Sequence, residues 1–400
     1  MQSESLSSQV AISGGGPVGL SLALALIKKG LSVKVFESGD DLCEEMRAST
    51  IHASTLEMFA HWGVLPQLLD AGQITRNLQY WERQSRQKIA EFSFDLLEKD
   101  TPYPFRLQCP QNILARILKN EIERLAPGTV LLGHEVVGHQ QDDGKVTVSV
   151  RHNNQDTTFT AEYLVGCDGS RSTVRKGLGV KLHGETHQDR FLLVGTTIDF
   201  SKFFKGLGPV AYLYDPKEWV ILLKLPGLLR TVFRLPPDED EKKALEDSAV
   251  RKRMANLMGE TLEYEIKLTK IYSVHQRVAD TFRQGRVILA GDAAHLNNPV
   301  GGMGLNSGVH DACMLSTILE QVIHGKVPDS QLDHYSKVRR DLAIHAIQDQ
   351  SGKNYADMIA KAWNERDKRN NEMATTAANP EMAREYLRKA AMLDVRPSLS

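Results

Sequence analysis

The sequence predicts an α/β fold in which a discontinuous first domain is interrupted by an inserted β-sheet and followed by a helical C-terminal segment. Glycine-rich turns follow apolar, strand-like segments at residues 14–19, 168–172 and 291–295. A run of strands broken by Gly and Pro, residues 191–235, separates the last two turns. After Gly304 the pattern is helical almost to the end. Because the turns are spread over most of the chain, the domain that contains them is discontinuous.

The first segment has the pattern of a complete βαβ unit. Residues 9–13 predict a short buried strand, residues 18–29 a helix of small and apolar residues, and residues 31–36 a second strand that ends at Glu37. The glycines between the first strand and the helix predict a tight turn. This unit is typical of a Rossmann-like domain.

The remaining elements follow from the same periodicities. Helices are predicted at residues 55–69, 114–125 and 238–257, and strands at residues 130–139, 145–152, 163–167, 264–275 and 286–290. The domain boundaries that follow are 1–75, 106–182 and 276–330 for the first domain, 76–105 and 183–275 for the inserted sheet domain, and 331–400 for the C-terminal helices.

Composition excludes some functional classes. The chain has 49 basic and 50 acidic residues, so no preference for nucleic acid follows. Its cysteines are widely scattered without a CxxC spacing, which predicts neither a zinc site nor a disulfide framework: Cys43, Cys109, Cys167 and Cys313. The apolar run 19–27 is too short to cross a bilayer. We expect a cytoplasmic protein with reduced thiols.

The glycines of the first turn, Gly14, Gly16 and Gly19, form a dinucleotide fingerprint together with Pro17 and Val18. They allow the backbone to approach a pyrophosphate, to which the following helix offers free N–H groups and the positive end of its dipole. Glu37, next to Ser38, is placed to accept hydrogen bonds from both ribose hydroxyls. A carboxylate there repels a 2′-phosphate, so the site suits FAD or NAD and not NADP.

Two later turns carry further polar groups. Asp168 or Ser170 can cap the helix after the second turn, and Arg171 and Arg175 predict an anionic partner because cations oppose the dipole of a first turn. Asp292 follows the third strand and can accept hydrogen bonds from a polyol chain. The glycines of residues 301–304 open a helix whose N-terminus would stabilise negative charge on a flavin ring.

The three turns in this order resemble those of the class A, single-component FAD-dependent aromatic monooxygenases, the para-hydroxybenzoate and phenol hydroxylase family. The resemblance extends from about Val10 to about Leu319 and implies that FAD is the cofactor. It implies that Gly14, Gly16, Gly19 and Glu37 hold the ADP half, that Arg47 and Gln111 reach the cofactor, that Asp168 serves FAD and the nicotinamide cofactor, that Asp292 binds the ribityl chain, and that Pro299, Gly301, Gly302, Gly304, Leu305 and Asn306 line the reaction site and hold the isoalloxazine ring.

The resemblance also implies the reaction. NAD(P)H would reduce the flavin, O₂ would form a C4a-hydroperoxide, and an activated aromatic or heteroaromatic small molecule would be hydroxylated. No side chain is then required as a nucleophile. A related flavoprotein of other chemistry, such as N-hydroxylation or lipid-quinone ring hydroxylation, remains an alternative, as does a non-enzymatic FAD-binding module.

This chain departs from the family pattern at Met303, where many relatives carry glutamine, and after Gln111, where the family arginine is not cleanly copied. We also expect the thioredoxin-like C-terminal domain of the phenol hydroxylases to be absent. In the tail, an apolar stripe at helical spacing predicts core packing or contact with a partner in a homodimer: Tyr355, Met358, Ile359 and Trp363.

The substrate pocket is expected on the inserted sheet. Alternation puts Arg230, Val232 and Arg234 on one face and Thr231, Phe233 and Leu235 on the other, and either face can meet the flavin. The substrate-binding candidates are Tyr212, Tyr214, Leu223, Lys224, Phe233 and Arg234. His295 would lie near the cofactor with Pro299, whereas His52 and His61 are interpreted as structural.

Overall fold

The computed structural model describes residues 7–45, 48–348, 353 and 363–399. Its strands are β1 Ser7–Ser13, β2 Val33–Phe36, β3 Thr50–Ile51, β4 Gln73–Thr75, β5 Asn77–Glu82, β6 Gln87–Ser93, β7 Arg106–Gln108, β8 Val130–Leu131, β9 Glu135–Gln141, β10 Val146–His152, β11 Gln155–Gly166, β12 Leu182–Thr196, β13 Val210–Tyr214, β14 Val220–Leu225, β15 Leu228–Leu235, β16 Ile266–Ala279, β17 Arg283–Gln284, β18 Val287–Leu289 and β19 His295–Leu296. Its α-helices are α1 Pro17–Lys28, α2 Ala53–His61, α3 Leu65–Ala71, α4 Gln111–Leu125, α5 Thr173–Gly177, α6 Glu241–Ala244, α7 Asp247–Met258, α8 Met303–Ile323, α9 Gln331–Leu342, α10 Trp363–Ala378 and α11 Pro380–Ala390.

The first sheet has a parallel centre. Its strand order is β17-β18-β11-β1-β2-β8, and β10 and β9 extend it by antiparallel pairing from β11. The neighbours from β18 to β8 run parallel. The central strand β1 has a fully buried apolar centre, as expected for a parallel strand that is covered on both faces. Strands that lie far apart in the sequence therefore share one sheet, and the mixed α/β prediction is confirmed.

The second sheet is mainly antiparallel, in the order β19-β16-β12-β15-β14-β13-β5-β6. Its two faces build two different cores. Val232 packs with Tyr212 and Val300 on one face, whereas Phe233 packs with residues of α7 on the other. The face that carries Val232 is therefore the one that meets the loop after residue 298. A third, small sheet has the strand order β3-β7-β4.

Some predicted elements are divided in the structure. Residues 55–69 form two helices, because Gly63 adopts a positive φ of 77° that ends α2. Residues 130–139 form two strands separated at Gly133, which has a φ of 67°. The helix predicted at 238–257 is divided into α6 and α7. The hydrophobic periodicity of these segments predicts their helical or extended conformation correctly, but it does not predict the breaks that divide each of them into two elements.

The C-terminal helices pack onto the Val232 face of the second sheet. Ala383 and Leu387 of α11 belong to the same core as Tyr212 and Tyr80. Three residues of the apolar stripe predicted in the tail, Tyr355, Met358 and Ile359, lie outside the described residues, as does the side chain of Trp363. Within the described part of the chain, no helix is both long enough and apolar enough to span a membrane.

Candidate active site

The sequence motifs meet at one edge of the first sheet. Because β18, β11, β1 and β2 run parallel, their carboxyl ends share an edge. Asp292, Asp168, the turn after Ser13 and Glu37 follow these four strands. In open α/β sheets, ligands bind in the crevice outside the carboxyl ends of the strands. The structure thus places the predicted nucleotide-binding residues around one crevice.

The fingerprint turn is shaped by close backbone approach. Gly14 has a φ of 108°, and a Cβ there would lie 2.4 Å from the carbonyl oxygen of Cys167. A Cβ on Gly19 would lie 2.1 Å from the carbonyl oxygen of Gly14. Gly16, in contrast, has no atom within 4 Å of its Cβ position. Two glycines therefore pack the turn against the protein, and the third leaves open space in front of α1.

The start of α1 is available to an anion. Its N-cap, Gly16, makes no side-chain capping hydrogen bond, and Pro17 occupies the first turn. Val18 faces inward, because the Cβ positions of Gly291 and Gly308 lie 3.0 and 2.5 Å from its Cγ2 atom. The first turn of α1 thus packs directly on α8, and its first N–H groups have no intrahelical acceptor.

Glu37 is tied to the fingerprint turn. Its Oε2 atom accepts a hydrogen bond of 2.7 Å from the backbone N–H of Gly15, and Oε1 accepts one of 3.0 Å from Gly39. The Ser38 hydroxyl donates to Oε1 over 3.4 Å. The carboxylate therefore lies beside the glycines and stabilises their conformation, and its contact with a ribose stays a prediction.

Asp168 caps the short helix α5. Its Oδ2 atom accepts a 3.1 Å hydrogen bond from Val174, whereas Oδ1 is buried without a partner. Ser172, not Ser170, supplies the other cap, because its hydroxyl accepts from the backbone of Arg175. The guanidinium of Arg175 donates to the carbonyls of Ser170 (2.9 Å) and Ala293 (3.0 Å), and the bound anion expected near it stays a prediction. Arg175 therefore ties the second turn to the third.

A buried charge network holds the third turn. Asp311 accepts hydrogen bonds from the backbone of Gly291 (2.9 Å), from Nε2 of His295 (2.8 Å) and from Nε of Arg339 (2.6 Å). Burial opposes ionisation of Asp311, but Arg339 and His295 outweigh it and lower its pKa to about 2. The Nδ1 atom of His295 contacts the amide of Asn297 at 3.2 Å. Both ring nitrogens of His295 thus contact protein groups, which favours a positioning role over contact with the reaction site.

The loop after Pro299 is held from one side by Asn306. The backbone φ values of Gly301 and Gly302 are 97° and 72°. Asn306, fully buried, donates to the carbonyls of Thr50 (2.9 Å) and Gly302 (2.7 Å) and accepts from the backbone of His52 (2.9 Å). Both the nitrogen and the oxygen of its side-chain amide hydrogen-bond to backbone groups, so Asn306 fixes the position of the loop. Gly304 has open space at its Cβ position, and Leu305 is half-buried against the first core.

His52 also holds this loop. Its Nε2 atom donates to the Gly301 carbonyl over 2.9 Å, whereas Nδ1 is buried without a partner. Burial lowers the pKa of His52 well below its usual value, and the nearby Arg106 guanidinium lowers it further. The ring is therefore neutral at physiological pH. We interpreted His52 as structural from the sequence, and the structure places it at the glycine loop.

Gln111 opens α4 and fixes a neighbouring loop. Its Oε1 atom accepts from the backbone N–H of Ala48 at 3.2 Å, and its Nε2 donates to the carbonyl of Glu45 at 3.3 Å. Arg47, the predicted cofactor-reaching arginine, lies outside the described residues. Gln111 thus anchors both ends of the short segment that contains Arg47.

A small cavity of about 10 Å³ lies between the glycine loop, the second sheet and the last helix. It is lined by Leu78, Tyr80, Arg106, Tyr212, Gly301, Met303, Tyr386 and Ala390. The hydroxyls of Tyr80 and Tyr386 are 2.5 Å apart, and the rings of Tyr80 and Tyr212 stack with centroids 5.3 Å apart. The Tyr212 hydroxyl hydrogen-bonds to Arg106 and to the backbone of Gly301.

Only part of the predicted substrate set reaches this cavity. Tyr212 lines it, but Tyr214 packs behind Tyr80 and under the Arg369 guanidinium. Phe233 lies on the opposite face of the sheet, toward α7, so its predicted proximity to the cavity is wrong. The other candidates are also displaced from the lining: Leu223 packs at the edge of the core, Lys224 is exposed, and Arg234 forms a two-pronged ion pair with Asp189 at 2.6 and 2.8 Å.

Sequence reasoning missed Tyr80, Arg106 and Tyr386. They come from a strand of the second sheet, a short strand of the third and the last helix. None belongs to a motif, and only their packing reveals that they share a cavity. The one available signal was the position of Arg106 five residues before Gln111.

The crevice and the cavity are linked by α8. Gly308 packs on Val18 at the fingerprint turn, and Gly301 and Met303 line the cavity. At 1.5 Å per residue, Met303 and Gly308 are about 8 Å apart along the helix. Free backbone N–H groups at α1, the unpartnered Asp168 Oδ1 and the open space at Gly16 fit a dinucleotide.

Comparison with known proteins identifies the family. The model of the FAD binding domain family matches residues 7–350. A para-nitrophenol 4-monooxygenase of Pseudomonas sp. (strain WBC-3) is 32% identical over 344 residues, which cover 84% of this chain and 83% of the relative. A 6-hydroxy-3-succinoylpyridine 3-monooxygenase of Pseudomonas putida is 31% identical over 359 residues, 88% of this chain and 90% of the relative.

The chain belongs to this FAD-binding family. Its homologues are single-component, class A aromatic monooxygenases, and the chain is therefore an FAD-dependent aromatic hydroxylase. The crystal structure of a p-nitrophenol 4-monooxygenase from Pseudomonas putida superposes with a TM-score of 0.90 at 30% identity. The superposition covers 98% of this chain and 100% of the solved chain. FAD as cofactor and NAD(P)H as reductant, as predicted from the three turns, are confirmed at the level of the family.

Proposed function

We propose that the first sheet, with α1 and α8, is the FAD-binding domain of the monooxygenase, assembled from residues 1–75, 106–182 and 276–330. Residues 76–105 and 183–275 would then form the substrate domain, and residues 331–400 the C-terminal helices. This division is supported by the sheet order, because the pairing of β18, β11, β1 and β2 joins distant segments. It is also supported by the separate core on the Val232 face of the second sheet.

We assign the ADP half of FAD to the fingerprint turn and the ribityl chain to Asp292. Gly16 leaves space at the start of α1, Gly14 and Gly19 pack the turn closely against the protein, and Glu37 lies beside them. Asp292 follows a turn that Asp311 fixes through Gly291. Asp168, with its unpartnered Oδ1 atom, lies between these two groups in the sheet order. When bound, FAD supplies the redox chemistry, taking electrons from NAD(P)H and activating O₂.

The substrate we propose is a small phenol or hydroxypyridine, bound at this cavity once its lining side chains move apart, because the enclosed space of about 10 Å³ holds no more than a water molecule. The names of two relatives specify such compounds, a nitrophenol and a hydroxylated pyridine. The observation that carries the assignment is the geometry of α8, which borders the fingerprint turn at Gly308 and the cavity at Met303. Aromatic and aliphatic walls exclude water from a ring bound there.

The protein groups have positioning roles in this reaction. His52 and Asn306 hold the backbone of the loop at Gly301 and Gly302. The N-terminus of α8 has no side-chain cap, so its N–H groups and dipole are available to negative charge on a ring beside it. The Tyr80 and Tyr386 hydroxyls offer a hydrogen-bonded pair at the far wall of the cavity. A nucleophilic side chain is not needed.

Filling the cavity tests this proposal. Ala390→Leu adds apolar volume to its lining, whereas Ala378→Leu adds the same volume at an exposed position at the end of α10. We expect Ala390→Leu to raise the KM of phenols that stimulate NAD(P)H oxidation, at unchanged FAD content. Ala378→Leu should change neither. If Ala390→Leu leaves the KM of every stimulating aromatic unchanged, the substrate does not bind in this cavity.

A further inference from the structure

Met303 brings a thioether to the cavity beside the glycine loop. It is the first residue of α8 and follows Gly302, the N-cap of that helix. It lines the cavity next to Gly301 and is 3% exposed to bulk solvent. Among the described residues of the lining, Met303 alone carries sulfur. The cavity thus contains one polarisable, oxidisable side chain, at the position where many relatives carry glutamine.

Met303 also joins α8 to the C-terminal segment. It packs in a separate apolar cluster with Met392, which is 2% exposed, and with the half-buried Val395. Met392 follows α11, whose last residue, Ala390, lines the cavity, and it has a positive φ of 56°. A residue other than glycine keeps this backbone conformation only where its surroundings hold it. The contact between the two methionines therefore helps to fix the wall that α11 forms.

Hydrogen peroxide is an oxidant that can reach this thioether from inside the protein. When electrons from NAD(P)H pass to O₂ without oxygen transfer to an aromatic ring, the products are NAD(P)⁺ and hydrogen peroxide. Peroxide released into a closed space of about 10 Å³ meets Met303 before it reaches bulk solvent. The sulfur lone pair attacks one peroxide oxygen, the O–O bond breaks, and the other oxygen leaves as water. The sulfide is oxidised to a sulfoxide by two electrons, and the peroxide is reduced.

We propose that Met303 is an oxidative modification site of this monooxygenase. Hydrogen peroxide from unproductive turnover converts its thioether to a sulfoxide, and this loosens the contact of α8 with the C-terminal segment. The inference rests on the proposed function, since it places the source of peroxide at the same cavity. A sulfoxide is polar, and its oxygen costs free energy in the apolar contact with Met392 and Val395 unless it gains a hydrogen bond. The oxidised protein should therefore form more peroxide per NAD(P)H consumed than the unmodified protein.

Two other methionines of the chain serve as internal references. Met382 is 44% exposed, whereas Met254 is fully buried in the core on the opposite face of the second sheet. Peroxide that arrives from bulk solvent should oxidise Met382 first, because that thioether is accessible. Peroxide formed at the cavity should oxidise Met303 ahead of Met382. The ratio of sulfoxide at Met303 to sulfoxide at Met382 therefore reports where the peroxide originates.

Peptide mass spectrometry measures this ratio. One sample of FAD-loaded protein oxidises NAD(P)H in the absence of an aromatic substrate, with catalase present to destroy peroxide in bulk solvent. A second sample receives reagent hydrogen peroxide, in an amount equal to the NAD(P)H consumed in the first, without NAD(P)H or catalase. We expect the ratio of Met303 to Met382 sulfoxide to be severalfold higher after turnover than after reagent peroxide, and Met254 to be oxidised less than Met303 after turnover.

Variants test the consequence of the modification. Met303→Leu keeps an apolar side chain of similar volume but forms no sulfoxide, and Met254→Leu is the matched control. After the same turnover, peroxide per NAD(P)H is measured in the presence of an aromatic that the protein hydroxylates. We expect it to rise severalfold in the native protein and in Met254→Leu, and to stay at its own initial value in Met303→Leu.

Three results would overturn the inference. The first is a ratio of Met303 to Met382 sulfoxide that is no higher after turnover than after reagent peroxide. The second is equal oxidation of Met303 and Met254 after turnover, and the third is a rise in peroxide formation in Met303→Leu that equals the rise in the native protein. Failure of the proposed function is a separate result, because it is read from an unchanged KM in Ala390→Leu and not from methionine oxidation.

Discussion

Asp292 is the residue whose role in holding FAD is simplest to test. The backbone N–H of the preceding residue, Gly291, donates to Asp311 of the Asp311–His295–Arg339 network, and Asp292 itself is exposed at the crevice edge. Asp292→Ala should therefore leave the fold intact and weaken FAD retention by about 1.5–3 kcal/mol, the range for hydrogen bonds to a charged group. FAD content after dialysis measures this. Asp238→Ala, exposed in the other sheet region, is the control. Full FAD retention in Asp292→Ala would rule out the ribityl assignment.

His310 makes the stability of the protein sensitive to acid. It is fully buried, with Nε2 3.1 Å from the Ser54 hydroxyl, and burial together with Arg339 lowers its pKa to about 3. Between about pH 6.5 and pH 3, the unfolded chain binds a proton at this residue that the folded protein does not. Stability should therefore fall as the pH falls through this window, by up to about 1.4 kcal/mol per pH unit from His310.

His310→Gln removes this titration and should flatten the pH dependence, even if it lowers stability at neutral pH. The free energy of unfolding by urea, measured at pH 7 and at pH 5 for both proteins, gives the two slopes. Equal slopes would show that His310 binds its proton in the folded state as readily as in the unfolded chain.

At the scale of elements, the glycine loop and the C-terminal helix enclose the cavity. A Cβ on Gly302 would lie 3.0 Å from the Cβ of Thr50, and its φ of 72° disfavours a β-branched residue. Gly302→Val should therefore displace the loop and uncouple the reaction, so that hydrogen peroxide per NAD(P)H consumed rises severalfold. Gly325→Val is a matched control, with a φ of 67° and open space at its Cβ position. Unchanged coupling in Gly302→Val would remove the loop from the oxygen-transfer site.

Helix α11 is held over the cavity by Asp100. The side chain of Asp100 is 4% exposed, accepts two hydrogen bonds from Arg384 at 2.8 and 2.7 Å, and also contacts Arg388. Since Tyr386 and Ala390 lie on this helix, its position sets one wall of the cavity.

Asp100→Asn should loosen this wall. We expect a loss of about 1–3 kcal/mol in stability and a higher KM for the aromatic substrate, at unchanged FAD content. The control is Asp95→Asn, which removes an exposed ion pair with Arg76 and should cost at most about 0.5 kcal/mol. An unchanged KM with a reduced unfolding free energy would show that Asp100 is structural only.

For the whole molecule, the sequence was most informative where parallel strands end. Glu37, Asp168 and Asp292 could be expected to meet, because the carboxyl ends of parallel strands share an edge. The cavity could not be predicted in the same way. Arg106 and Tyr386 are 280 residues apart and come together only through tertiary packing. Strand alternation separated Val232 from Phe233 correctly, but the choice of face depended on the position of the C-terminal helices.

The fate of molecular oxygen tests most directly the claim that FAD at the sheet edge hydroxylates an aromatic ring in the adjoining cavity. FAD-loaded protein is supplied with NAD(P)H, ¹⁸O₂ and a panel of phenols and hydroxypyridines, and products are analysed by mass spectrometry. We predict an aromatic product that contains one ¹⁸O atom from O₂, formed by the native protein and lost or greatly reduced in Ala390→Leu. Hydrogen peroxide as the sole product with every aromatic, or product oxygen derived only from water, would contradict the account.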